Sequence, residues 1–114
     1  KWIIEVAALD NHQIVQLSAL IKNVVIANFS EKEYDKVFVK SSTGFYKTPE
    51  GVPNGATVSA VKLMLENSCP LAVKAAGGVR TYEEAVEMIQ IGVKRIGTSA
   101  AKAISTGEIS NSNY

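Results

Sequence analysis

Two lysines each close a short apolar run: Lys40 in "VFVKSSTG" and Lys74 in "LAVKAAGG". Both are followed at once by small, turn-forming residues. If the runs are strands, alternation places Phe38 and Lys40 on one face and Val37 and Val39 on the other, and it groups Ala72, Lys74 and Ala76. Neighbouring strands lie roughly 4.8 Å apart, so lysines at matching strand ends come close. A second ammonium disfavours protonation of the first, and burial acts in the same direction. An amine held neutral near physiological pH can attack a carbonyl and form a Schiff base. For one lysine alone the simpler account is snorkelling to solvent. Two in matching positions, each before a Gly-containing turn, favour chemistry.

The turns carry a second signal. "AAGGVRT" leads into a capped helix, where outward-pointing backbone N–H groups at a positive helix end make an anion site. "RIGTSA" offers the same after the last strand, with Thr98 and Ser99 as further donors. Taken singly, Gly77, Gly78 and Gly97 could serve only their turns. Together at adjacent strand ends they read as a phosphate pocket, since barrels of eight βα units often hold phosphate in their last two loops. Arg80 could assist or simply be solvated. Glu5 lies within a buried run; it faces the interior near the site or pairs with a lysine such as Lys1. His12, at a helix start, reads as solvent-facing, and Cys69, before a proline, as structural.

The elements that must position these residues alternate. Strands are expected at 1–7, 36–40, 70–76 and 94–100, and helices at 11–29, 57–68 and 81–92. Ile14, Leu17, Ile21, Val24 and Val25 mark the buried face of the first helix, and Val58, Val61 and Leu65 that of the second. Thr81 and Glu84 form a capping box, and Gly92 closes that helix. Residues 41–56 form a loop long for a βα connection. The order β-α-β-α-β-α-β implies parallel strands with right-handed crossovers, and an α/β fold. Residues 104–114 read as a flexible tail after a single domain at 1–103.

Bulk properties narrow the field. The chain has 114 residues, 46% of them hydrophobic and 20% charged, with a net charge of +1. That is a small globular domain without the basic patch that nucleic-acid binding needs. No apolar run approaches membrane-spanning length, and nothing at the start reads as a secretory signal. A single cysteine excludes an internal disulfide and fits a reducing, cytoplasmic setting.

The motifs "KWIIEV", "VFVKSSTGF", "NGATVSAVKLM", "AVKAAGGVRTYEEAVEMIQIG" and "RIGTSA" together resemble the C-terminal half of the deoxyribose-phosphate aldolases. These are class I aldolases on a TIM (β/α)8 barrel. The resemblance implies reversible cleavage of 2-deoxy-D-ribose 5-phosphate to glyceraldehyde 3-phosphate and acetaldehyde, with no metal or organic cofactor, in deoxyribonucleotide catabolism. It matches Lys40 to the Schiff-base lysine and Lys74 to the second lysine that tunes it. It places Gly44, Gly77, Gly78, Gly97 and Ser99 at the phosphate, and it matches Tyr114 to a mobile C-terminal tyrosine that assists proton transfer.

Two departures stand out. "YKTPEGVP" is an apparent insertion after "SSTGF", and "VVIANFSEKEYD" replaces a shorter Ala/Gly-rich turn. Length is the larger one, because such a barrel takes roughly 250 residues. The chain is expected to supply its last four strands, with a proton-relay aspartate in the other half. Its expected partners are a phosphorylated sugar, the N-terminal half of the barrel or a second copy of the chain, and further copies of the full enzyme in a homo-oligomer. Two alternatives stay open: an aldolase-like scaffold without turnover, and another phosphate-binding barrel that uses a Schiff-base lysine.

Overall fold

Asp10 opens the first helix with a reciprocal cap: its carboxylate accepts from the Gln13 N–H at 2.8 Å, and Gln13 Oε1 accepts from the Asp10 N–H at 2.9 Å. This computed structural model describes residues 1–106 of the chain. Strand β1 (Trp2–Ile3) leads into that helix, α1 (Asn11–Asn28), through a 3-10 turn at Val6–Ala8. A second 3-10 segment, Glu31–Lys36, feeds β2 (Phe38–Lys40). Then follow α2 (Val58–Ser68), β3 (Ala72–Ala76), α3 (Tyr82–Ile91), β4 (Arg95–Gly97) and α4 (Ala101–Thr106).

The strands form one parallel sheet in the order β1-β2-β3-β4. One face is packed under the helices: Val39, Val73 and Ala75 meet Ile14, Ile21 and Val25 of α1, Val61 and Met64 of α2, and Ala85 and Met88 of α3 in one apolar core. The opposite face carries Ile3, Lys40, Lys74 and Arg95 in one row, because aligned residues of parallel strands point the same way.

Several expected bounds shift. The first strand does not run to residue 7: Glu5 turns into the left-handed region at φ 57, so regular pairing ends at Ile3. Lys36 ends a 3-10 turn instead of opening β2, which starts at Phe38. The last strand is only Arg95–Gly97, and the chain is helical again to Thr106, past the expected tail boundary at 103. Val24 is exposed, not buried, and so is Cys69. His12 is exposed, as expected. Thr81 caps α3, but Glu84 uses its carboxylate to accept the Thr81 hydroxyl at 3.1 Å instead of the cap amide. No helix among the described residues is long and apolar enough to cross a membrane.

Candidate active site

Lys40 and Lys74 end up side by side because β2 and β3 pair in register, Phe38 with Ala72, Val39 with Val73 and Lys40 with Lys74. Lys40 is buried, at 8% exposure. Its main chain is held from both sides. The Lys40 carbonyl accepts from the Ile4 N–H at 3.0 Å, and the Ser41 N–H donates to the Lys74 carbonyl at 3.1 Å. Arg95 of β4 aligns with Lys74 and lays its guanidinium over the Phe38 ring, 4.2 Å from the centroid. The row is strongly positive, and the effect shows on Lys74. Burial, and then the charges of Lys1, Lys40 and Arg95, hold its amine below the usual lysine value.

The ends of the two lysine strands are clasped together. The buried Ser41 hydroxyl donates to the Ala76 carbonyl at 2.7 Å and accepts from the Ala76 N–H at 2.9 Å. Behind this clasp the long loop returns at Gly55, packed so closely on the β3 end that an added Cβ would lie 2.6 Å from Gly77 Cα. Gly77 itself, at φ 85, sits against Gly55 and Ser42. The two turns after the lysines therefore form one packed unit.

Glu5 supplies the third tie. Its carboxylate lies 2.9 Å from Ser42 Oγ and accepts the Thr43 hydroxyl at 2.7 Å. It therefore faces the turn after Lys40 and not Lys1, which resolves the two placements open in sequence. The alternation of the first run hid this, because the left-handed Glu5 re-aims its side chain.

The candidate anion-binding residues gather at the same end of the sheet. Gly44 (φ 84), Gly77 and Gly78 (φ 90) occupy left-handed turns that disfavour a side chain. The Gly44 N–H is engaged by Ser42 Oγ at 2.8 Å, so it faces the loop's own hydroxyl. Gly97 ends β4, buried, and Ser99 is exposed just beyond it. Thr98 ties that turn to the preceding one by donating to the Val79 carbonyl at 2.7 Å. Arg80 is exposed and lines an open groove of about 690 Å³ between the 46–53 insertion and α3, shared with Gly78, Glu84 and Met88. Tyr114 lies outside the described residues.

Sequence reasoning missed Ser41, Ser42, Gly55 and Arg95. Ser41 and Ser42 directly follow Lys40, but nothing in their local spacing marks their distant partners, and a glycine inside a Gly/Pro-rich loop carries no signal either. The strand order leaves a further feature. Trp2, Ile3, Leu20 and Val24 are exposed and, with Leu17 and Ile21, form an apolar strip along β1 and α1 at the free edge of the sheet.

No protein-family model matches the chain. Curated relatives do. A deoxyribose-phosphate aldolase of Streptococcus equi subsp. zooepidemicus is 40% identical over 115 residues, spanning 100% of this chain and 45% of the relative. Deoxyribose-phosphate aldolase 1 of Mesoplasma florum is 51% identical over 78 residues, 68% of this chain and 33% of that protein. Among solved structures, "QR15, an Aldolase" superposes with a TM-score of 0.68 at 31% identity, over 91% of this chain and 40% of its own. The chain spans less than half the length of these relatives and matches their C-terminal half. Its four parallel strands and their helices are accordingly part of an α/β barrel.

Proposed function

Because this chain belongs to the deoxyribose-phosphate aldolase family, we propose that it supplies the Schiff-base half of an aldolase cleaving 2-deoxy-D-ribose 5-phosphate to D-glyceraldehyde 3-phosphate and acetaldehyde. The observation that carries the reading is the in-register pairing of Lys40 with Lys74, with the left-handed Gly44, Gly77 and Gly78 in the turns at the same sheet end.

In this reading Lys40 adds to the C1 aldehyde and loses water to give an imine. Protonated, the imine is an electron sink. A base removes the C3 hydroxyl proton, the C2–C3 bond breaks, and its electron pair moves into an enamine as glyceraldehyde 3-phosphate leaves. Protonation of the enamine carbon and hydrolysis of the imine release acetaldehyde and regenerate the amine. Lys74, with its lowered proton affinity, is suited to exchange protons next to the imine. Gly77, Gly78, Gly97 and Ser99 would receive the phosphate, with Gly44 at the edge of that pocket. The proton-relay carboxylate belongs to the N-terminal half.

That half is also the partner to which the apolar strip is assigned. A parallel strand paired to β1 would bring its helix over Leu20 and Val24, as barrel closure requires. The chain alone is expected to have little turnover.

Borohydride trapping with acetaldehyde, followed by peptide mapping, tests the reading. An adduct on Lys40 in the completed barrel, lost in Lys40→Met, is the expected result. No adduct in a complete barrel would favour a scaffold without turnover, and an adduct formed only with other carbonyl compounds would favour a different Schiff-base enzyme.

A further inference from the structure

Glu5 adopts φ 57 and ψ 65, a conformation that residues with side chains seldom hold. The bonds on either side show its purpose. The Ile4 N–H donates to the Lys40 carbonyl at 3.0 Å and the Val6 N–H to the Ser41 carbonyl at 2.8 Å. One strand advances two residues while its neighbour advances one, so Glu5 is an inserted, bulged residue. Bulges turn a side chain away from its alternating direction. Here the carboxylate is turned into the loop after Lys40.

The loop is wound around it. Thr43 gives Glu5 its hydroxyl proton at 2.7 Å and its N–H at 3.3 Å. Ser42 Oγ lies 2.9 Å from Glu5 Oε1 and 2.9 Å from the Asn54 carbonyl, so its proton is available to either. These hydroxyls then accept the next two amides, Gly44 N–H on Ser42 Oγ at 2.8 Å and Phe45 N–H on Thr43 Oγ1 at 3.1 Å. Hydrogen bonds to a charged group are the stronger kind, and a hydroxyl that donates to one becomes a better acceptor. Every residue from Ser42 to Phe45 is thus tied to Glu5 directly or through one hydroxyl. Lys40 is anchored separately, by β1, β3 and the Ser41 clasp.

We propose that Glu5 is a positioning residue that sets the Ser42–Phe45 turn, and with it the wall of the phosphate pocket formed at Gly44, so that a phosphorylated sugar is selected over its unphosphorylated counterpart. Glu5 does not touch the substrate; it acts through Ser42 and Thr43. This inference rests on the aldolase reading of Lys40.

Glu5→Gly isolates the side chain, since glycine holds a positive φ at no steric cost and keeps the bulge. Glu5→Gln keeps the length and one acceptor oxygen, and it serves if Glu5→Gly folds poorly. Both are measured in the complete barrel enzyme that carries this segment. In Glu5→Gly, the ratio of kcat/KM for 2-deoxyribose 5-phosphate to that for 2-deoxyribose is expected to fall about tenfold or more, mainly through KM for the phosphorylated sugar. The acetaldehyde adduct on Lys40 is expected to persist, and amide exchange at Thr43, Gly44 and Phe45 to quicken. Glu5→Gln is expected to recover part of the ratio. An unchanged ratio beside a wild-type adduct overturns the inference. So does an equal loss for both sugars with a lower Tm, which would make Glu5 a general stabiliser. If the wild-type enzyme forms no adduct, the aldolase reading fails first and this inference with it.

Discussion

Lys40 and Lys74 stand directly opposite one another in the parallel register of β2 and β3. Aligned residues of adjacent parallel strands share a face, so the two amines lean into the same space. Ser41 keeps that alignment by bonding twice to Ala76, two residues beyond Lys74. The arrangement costs the fold electrostatic energy, and its consequences can be measured.

Lys74 sits below its ordinary pKa of 10.5, first through burial and then through Lys1, Lys40 and Arg95. Between the folded value and 10.5 the unfolded chain therefore binds more protons than the folded one, and stability rises with pH across that window. Below the folded value both states are protonated and the full penalty remains. Urea titrations from neutral to alkaline pH should show this rise, and Lys74→Met should flatten it. In the complete enzyme, Lys74→Met is expected to lower kcat by on the order of a hundredfold.

Ser41→Ala removes the clasp between the two lysine strands. The Ala76 carbonyl keeps the Ala56 N–H at 3.0 Å, but the buried Ala76 N–H loses its acceptor. A loss of about 1–3 kcal/mol is expected from chemical denaturation.

Gly55→Ala tests the close approach behind the site. The new Cβ would meet the Ala76 carbonyl oxygen and the Gly77 backbone, 2.8 Å from Gly77 O, and backbone atoms cannot rotate away. Destabilisation of about 1–3 kcal/mol is expected, together with weaker binding of inorganic phosphate by calorimetry.

Leu20→Lys tests the apolar edge. Leu20 is 56% exposed, so its replacement should leave the chain's own secondary structure intact by circular dichroism. Association with the N-terminal half of the barrel, followed by co-elution, is expected to weaken. Unchanged association would place that half elsewhere.

Much of this was legible in the chain. The order of elements followed from apolar periodicity, since burial of one face is a local pattern that residues 14–25 and 58–65 already display. The two lysines stood out because a cation at the end of an apolar run is costly, and the glycines because left-handed turns need them. Glu5 was visible as an anomaly but not as a tie, since a bulge depends on the strand beside it. Ser41 and Gly55 were silent for the same reason: their partners, Ala76 and Gly77, lie 35 and 22 residues away.

By itself, then, the sequence determined which residues carry charge, where the chain can turn, and which segments bury a face, because these depend on residue type and local spacing. Only the tertiary structure decided that Lys40 faces Lys74 in register, that Arg95 joins their row, and that Glu5 gathers the Ser42–Phe45 turn. Those are distances between strands, set by register and by one bulged residue, and no local pattern encodes them.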